Sequence, residues 1–327
     1  MTKRTSLLSG IVAFGIFISG PFQTVMAEEF PDKPVKIVVV DPPGSAVDTV
    51  ARLLSEQMAK TLKQSVVVEN RPGASGTIAA NTVAKAKPDG YTILMTGTFT
   101  EGIVPFAMEK LPYDYKKDLV PLAEIVRLPF VLVVPAGSSL KSLQDITAVA
   151  KAKPQGLNVG GMPRGSGLHL AWETIAERMN VKSTYVPYTS SSQLETDTVN
   201  NSFDLAIDTI NSARSFIESG RTRGLAITSK SRSPALTAVP TLEEAGLNGL
   251  EAVVWVGALA PAGMPADRFA KLEDAIIKAT QVESVVRTFT TIGYTVTGRK
   301  GAELAETIRN DRGVYEPLVK RLGIKMN

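Results

Sequence analysis

The 327-residue chain predicts an α/β protein built of two units. Three features carry that expectation. Short, wholly apolar runs alternate with segments of helical spacing, as expected of buried parallel strands and their crossover helices. The alternation loosens over residues 112–128 and restarts at Phe130. In each half, an apolar run ends in a Gly/Ser/Pro loop that opens onto a helix. Residues 35–40 run into Pro42-Pro43-Gly44-Ser45, and residues 157–160 run into Arg164-Gly165-Ser166-Gly167.

The elements follow in order. Residues 35–40, apolar except at Lys36, read as a strand buried on both faces. Val50, Leu53, Leu54, Met58 and Leu62 have helical spacing and predict a helix over 49–62, with Asp48 as its natural N-cap. Residues 65–69 are a β-branched strand. The loop Asn70-Arg71-Pro72-Gly73-Ala74-Ser75-Gly76 leads to a helix over 77–86, closed by Pro88-Asp89-Gly90. A third strand, 91–95, ends in Thr96-Gly97-Thr98. This β-α-β-α-β order implies a parallel sheet with right-handed crossovers.

After the strand at 130–134 come helix 142–152, strand 157–160, helix 168–179 and strand 184–187. Helix 193–200, strand 205–207, helix 212–219 and strand 225–228 complete a second α/β unit. An apolar strand at 252–259 runs back from it. The tail has helices at 266–280 and 302–322 with a strand at 294–297 between them. Two units joined by two crossing segments imply two lobes with a cleft at the hinge. The expected division is lobe 1 from 28–128 and 250–327, and lobe 2 from 129–249. Ligands in open α/β sheets sit beyond the carboxyl ends of the strands, where these loops lie.

The first 27 residues read as a secretory signal. Lys3 and Arg4 are the charged start, a mostly apolar stretch follows, and Val25-Met26-Ala27 offers small residues for cleavage. The apolar stretch is too short for the roughly 20 residues of a spanning helix. The chain has no cysteine, which removes disulfides, thiolate nucleophiles and a lipid anchor. A soluble, exported chain fits a bacterial periplasm. Without Lys3 and Arg4, 34 of the 36 basic residues remain against 32 acidic ones. Basic residues are scattered, so nucleic-acid binding is not expected.

Catalytic and cofactor signatures are weak. His169 is the only histidine. Ser166 is one helical turn away, but Gly165-Ser166-Gly167 lacks the spacing of a nucleophile elbow. One histidine and no cysteine give no metal site. Gly73-Ala74-Ser75-Gly76-Thr77 is Gly-rich, yet no lysine of a P-loop follows it. No enzyme activity, cofactor or metal is expected.

Binding signals are stronger. A helix start carries partial positive charge and unpaired N–H groups, and two of them facing one cleft would trap a small anion. Pro43, Gly44, Ser45 and Ala46 are candidate contacts on one side, and Gly165 and Ser166 on the other. The Ser166 hydroxyl is expected to meet ligand and not core, so its removal should leave the melting temperature nearly unchanged. Arg164 could pair with a second carboxylate or stand as a solvated rim charge. Thr98 and Ser190 offer hydroxyls. Asp208 could accept from a ligand amine or hydroxyl, or lock the hinge.

At these residues the chain resembles the Bug, or TctC-like, family of solute-binding proteins. The carriers are Phe30-Pro31-Asp32-Lys33-Pro34, Pro42-Pro43-Gly44 with Asp48 and Ala51-Arg52, Glu69-Asn70-Arg71-Pro72-Gly73-Ala74, Ala86-Lys87-Pro88-Asp89-Gly90-Tyr91-Thr92, Val186-Pro187-Tyr188, Pro240-Thr241-Leu242-Glu243-Glu244-Ala245-Gly246 and Ala260-Pro261-Ala262-Gly263. The resemblance implies a two-lobed type II periplasmic-binding-protein fold that closes on a small organic carboxylate. It implies delivery to the membrane subunits of a tripartite tricarboxylate transporter, with the chain acting as a monomer. A ligand-sensing partner of a two-component receptor is the alternative, and an exported hydrolase a distant one. The resemblance also matches Asp208 to an aspartate that reads an amino or hydroxyl group. The chain departs from the pattern at Ser45, at Thr189-Ser190, at Asp41 (commonly aromatic or apolar) and at Arg164 (commonly small).

Overall fold

The computed structural model describes residues 30–326; the signal-peptide reading lies outside them. Two sheets organise the chain. The first takes β1 (Val35–Val39), β2 (Val66–Asn70), β3 (Thr92–Gly97) and β4 (Leu119–Leu128), with α1 (Ala46–Leu62), α2 (Thr77–Ala84) and the short α3 (Val104–Ala107) between them. The second takes β5 (Phe130–Pro135), β6 (Leu157–Gly161), β7 (Ser183–Pro187), β8 (Leu205–Thr209) and β9 (Thr222–Ile227). Its helices are α4 (Leu143–Ala152), α5 (Gly167–Met179), α6 (Ser191–Val199) and α7 (Ile210–Glu218). The chain then returns through β10 (Val254–Pro261), α8 (Ala266–Thr280), α9 (Glu283–Thr291), β11 (Thr295–Lys300) and α10 (Gly301–Arg321).

The strand orders are β11-β4-β10-β3-β1-β2 and β7-β6-β8-β5-β9. The parallel prediction holds where βαβ units form. β1 pairs in parallel with β2 and β3, and β6 with β7 and β8. The crossing strands are antiparallel: β10 to β3 and β4, and β5 to β8 and β9. Both sheets are therefore mixed. The tail joins the first sheet, because β10 and β11 flank β4.

The apolar runs are explained by burial on both faces. In the second sheet Leu132 and Val134 join one core with Trp172, Ile146 and Val159. Val131 and Val133 join another with Leu194, Phe203 and Ile210. β5 thus needs apolar residues at every position, not at alternate ones.

Two elements depart from expectation. Residues 112–128 contain a ten-residue strand, β4, where the pattern looked irregular. Pro121, Glu124 and Arg127 mask it. Glu124 is buried and ion-paired to Arg127, Nε to Oε1 at 2.8 Å, so a charged residue sits in a central strand. The tail also holds an additional helix, α9, whose buried face is only Val285 and Phe289.

Candidate functional site

The two Gly/Ser/Pro loops have one backbone design. Pro42-Pro43-Gly44-Ser45 and Pro163-Arg164-Gly165-Ser166 share the pattern Pro-x-Gly-Ser. In both, the serine N–H closes a turn onto the proline carbonyl, at 3.3 Å for Ser45 and 3.0 Å for Ser166. The glycine has φ +85° in both, a left-handed conformation that other residues adopt only at a cost. The serine is the N-cap: Ser45 Oγ accepts from Asp48 N at 3.1 Å, and Ser166 Oγ accepts from His169 N at 3.3 Å. The residue three beyond the cap reaches back to the glycine. Gly44 N donates to Asp48 Oδ2 at 2.8 Å, and Gly165 N donates to His169 Nδ1 at 3.1 Å.

This corrects three expectations. Ser45, not Asp48, caps α1, and Asp48 is the reciprocal partner of a capping-box arrangement. The Gly44 and Gly165 amides are already spent. The open amides are those of the first helical residues, Ala46 and Val47 in one loop and Gly167 and Leu168 in the other; a helix leaves these donors without internal partners. Finally, the Ser166 hydroxyl is a structural cap. Removing it costs about 0.5–2 kcal/mol of stability, so Ser166→Ala is not thermally silent.

Asp48 is secured further by Arg52, Nε to Oδ2 at 3.0 Å, and by Asn70 Nδ2 to Oδ1 at 2.8 Å. Burial works against its charge, but the hydrogen bonds from Arg52, Gly44 and Asn70 outweigh it and hold the carboxyl below its usual range. His169 is its counterpart and is neutral. Burial, helped by the nearby Arg164 charge, pulls its imidazole down to about 4. Its Nδ1 is engaged by the Gly165 amide and not by the Ser166 hydroxyl. The Ser–His pair of a hydrolase is therefore not assembled here.

The loops face each other across a cavity of about 480 Å³. Ala46, Val47, Thr98, Arg164, Gly165, Ser166, Gly167 and Leu168 line it, as do Asp41, Phe99 and Trp255. The structure thus brings together Ala46, Thr98, Arg164, Gly165 and Ser166 from the expected set. Pro43, Gly44 and Ser45 shape the loop behind the lining. Thr98 is 1% exposed. Its Oγ1 accepts from Trp255 N at 2.9 Å, which leaves its hydroxyl proton to donate. It leads into a single π-helical turn, Phe99–Ile103, a local irregularity of a kind often found at functional sites. Gly167 approaches the return crossing closely: a Cβ there would lie 2.6 Å from Val254 Cγ1.

Ser190 and Asp208 lie elsewhere. Ser190 is exposed and shares a hydrogen bond with Ser192, 2.8 Å between their Oγ atoms. Asp208 is fully buried, where its Oδ1 accepts from Thr209 N at 2.7 Å and Ser191 Oγ at 3.0 Å. Burial raises its carboxyl and that of Glu195, and the charge on Asp208 pushes Glu195 further, to about 8. Asp208 is thereby tied to the backbone of Thr209, which itself lines the cavity. Reasoning from sequence missed Asp41, Val47, Gly167 and Leu168. The repeated Pro-x-Gly-Ser was the available signal, since it aligns the two caps and points to the amides after them.

The chain is similar to known proteins along most of its length. The family described as tripartite tricarboxylate transporter family receptor matches residues 50–324. The chain is 36% identical over 303 residues to the UPF0065 protein in the tcbD-tcbE intergenic region of Pseudomonas sp. (strain P51), covering 92% of this chain and 89% of that one. Among solved structures it is similar to Rpa4515 of R. palustris with adipate, at 29% identity and TM-score 0.73, covering 90% and 99% of the two chains. It is also similar to MatC from Rhodopseudomonas palustris with bound malate, at 31% identity and TM-score 0.69, covering 89% and 100%.

Proposed function

The chain belongs to the tripartite tricarboxylate transporter receptor family of periplasmic solute-binding proteins, and from that premise we propose that it captures a small organic carboxylate in the cavity between its two sheets. The observation that carries the reading is the pairing of open first-turn amides, Ala46 and Val47 against Gly167 and Leu168, around one cavity. Carboxylate oxygens accept such N–H groups well, and the helix dipoles favour negative charge there. Arg164 adds a guanidinium whose Nη2 is held on the Tyr185 carbonyl at 2.9 Å, leaving its other donors for the guest.

The lobes would be 28–128 with 250–327, and 129–249, closing about the crossings at Leu128–Phe130 and before β10. Closure removes water and strengthens each hydrogen bond. The guest is held and released unaltered, in the periplasm, and passed to membrane subunits of the tripartite tricarboxylate type. Ligands bound by the relatives, adipate and malate, support a carboxylate as the common feature.

A thermal-shift screen against organic acids tests this. At least one carboxylate is expected to raise the melting temperature in a concentration-dependent way, by RT ln(1 + [L]/Kd) of stabilisation. Uniformly flat curves across the acids would overturn the reading.

A further inference from the structure

The two loops share a backbone but not their electrostatics. Among the described residues that line the cavity, two carry a formal charge: Asp41, at the end of the first strand, and Arg164, in the opposing loop. Arg164 is tethered to Tyr185. The Asp41 carboxylate has no hydrogen-bond or ion-pair partner among the described residues; only its backbone carbonyl is used, accepting from Asn70 Nδ2 at 3.0 Å. Burial alone pushes its carboxyl above the usual range. Around it the walls are apolar, with Val40, Val47, Phe99 and Trp255 among them. Asp41 is half-buried there, and closure about a guest would bury it further, which is costly unless a partner arrives.

We propose that the partner is the guest's own cation: the cleft selects a monocarboxylate that carries a protonated amine on an apolar body, and Asp41 is the residue that reads the amine. This rests on the carboxylate reading above and narrows it. The amides and Arg164 take the carboxylate, and Asp41 accepts from the ammonium. The cavity's own charges cancel, so a zwitterion enters with no net charge to bury. A simple acid leaves Asp41 desolvated and unpaired. A diacid sets a second carboxylate against it, a like-charge contact in a medium of low dielectric.

Calorimetric titration of matched acids tests the assignment. The probes are L-leucine with 4-methylpentanoate, and 6-aminohexanoate with hexanoate and adipate, on the wild-type protein and on Asp41→Asn. At least one amine-bearing acid is expected to bind about tenfold or more tighter than its amine-free counterparts. Asp41→Asn is expected to collapse that ratio from both sides, weakening the amine-bearing acid and tightening its amine-free counterparts. Asp41 makes no side-chain hydrogen bond to lose, so the variant should melt at least as high as the wild type. The inference is overturned if adipate or a simple acid binds as tightly, or if the ratio survives in Asp41→Asn. It also falls if only amine-free acids from the wider screen bind, and the carboxylate reading then stands. If no carboxylate binds, both fall.

Discussion

Replacing Glu124 with alanine is expected to lower the stability of the unliganded protein by about 3 kcal/mol, near the lower end of losses when one partner of a buried ion pair is removed. Glu124 is fully buried in β4. Its Oε1 accepts from Arg127 Nε at 2.8 Å, and its Oε2 accepts from Thr307 Oγ1 at 2.8 Å. Arg127 also donates to Glu251 Oε2, at 2.8 Å from Nη1. The cluster ties the end of β4, the return crossing and α10 together at the hinge. Alanine leaves the Arg127 guanidinium with Glu251 as its one ion-pair partner, beside a longer contact from Nη2 to Thr307 Oγ1 at 3.4 Å, and strips the Thr307 hydroxyl of its acceptor. The surviving Glu251 contact is why the loss sits at the low end. Glu251 is partly exposed, and Glu251→Ala is expected to cost much less, about 1 kcal/mol. Urea unfolding measures both. A loss below about 1 kcal/mol for Glu124→Ala would show the pair to be dispensable.

Ala46→Pro is expected to weaken acid binding about 10- to 100-fold, the value of one hydrogen bond to a charged group. Ala46 is the first residue of α1, where proline is favoured because its missing N–H has no helical partner. Ser45 before it has φ −68° and ψ 168°, the extended conformation a following proline requires. The substitution therefore deletes one amide from the cavity wall without breaking the helix. The melting temperature without ligand should hold or rise slightly, because proline restricts the unfolded chain. Calorimetry against an acid found by the melting screen reads the affinity. Unchanged affinity would remove the α1 amides from the binding role.

The fold was legible where burial is two-sided. Residues 130–134 throughout, and residues 35–40 except Lys36, are apolar because both faces of their sheets are covered. β4 was not legible, because the ion pair of Glu124 with Arg127 puts charges into a strand interior, and only tertiary partners make that tolerable. That the two loops face one cavity was legible from glycine, serine and helix starts alone. Of the candidates, the Gly44 and Gly165 amides prove to be occupied, because Asp48 and His169 reach back to them. That contact depends on side-chain reach across a turn, which composition does not reveal. Asp208 was singled out for its place at a strand end, but its carboxylate turns inward to Ser191 and Thr209 instead of facing the cavity.

Backbone amide mapping by nuclear magnetic resonance tests the central claim most directly. The ¹⁵N-labelled protein would be titrated with an acid taken from the melting screen. The largest shifts are expected at the amides of Ala46, Val47, Gly167 and Leu168, with the acid recovered chemically unchanged. Shifts confined to the separate polar cavity lined by Arg127, Lys230 and Arg299, with those four amides unmoved, would contradict it.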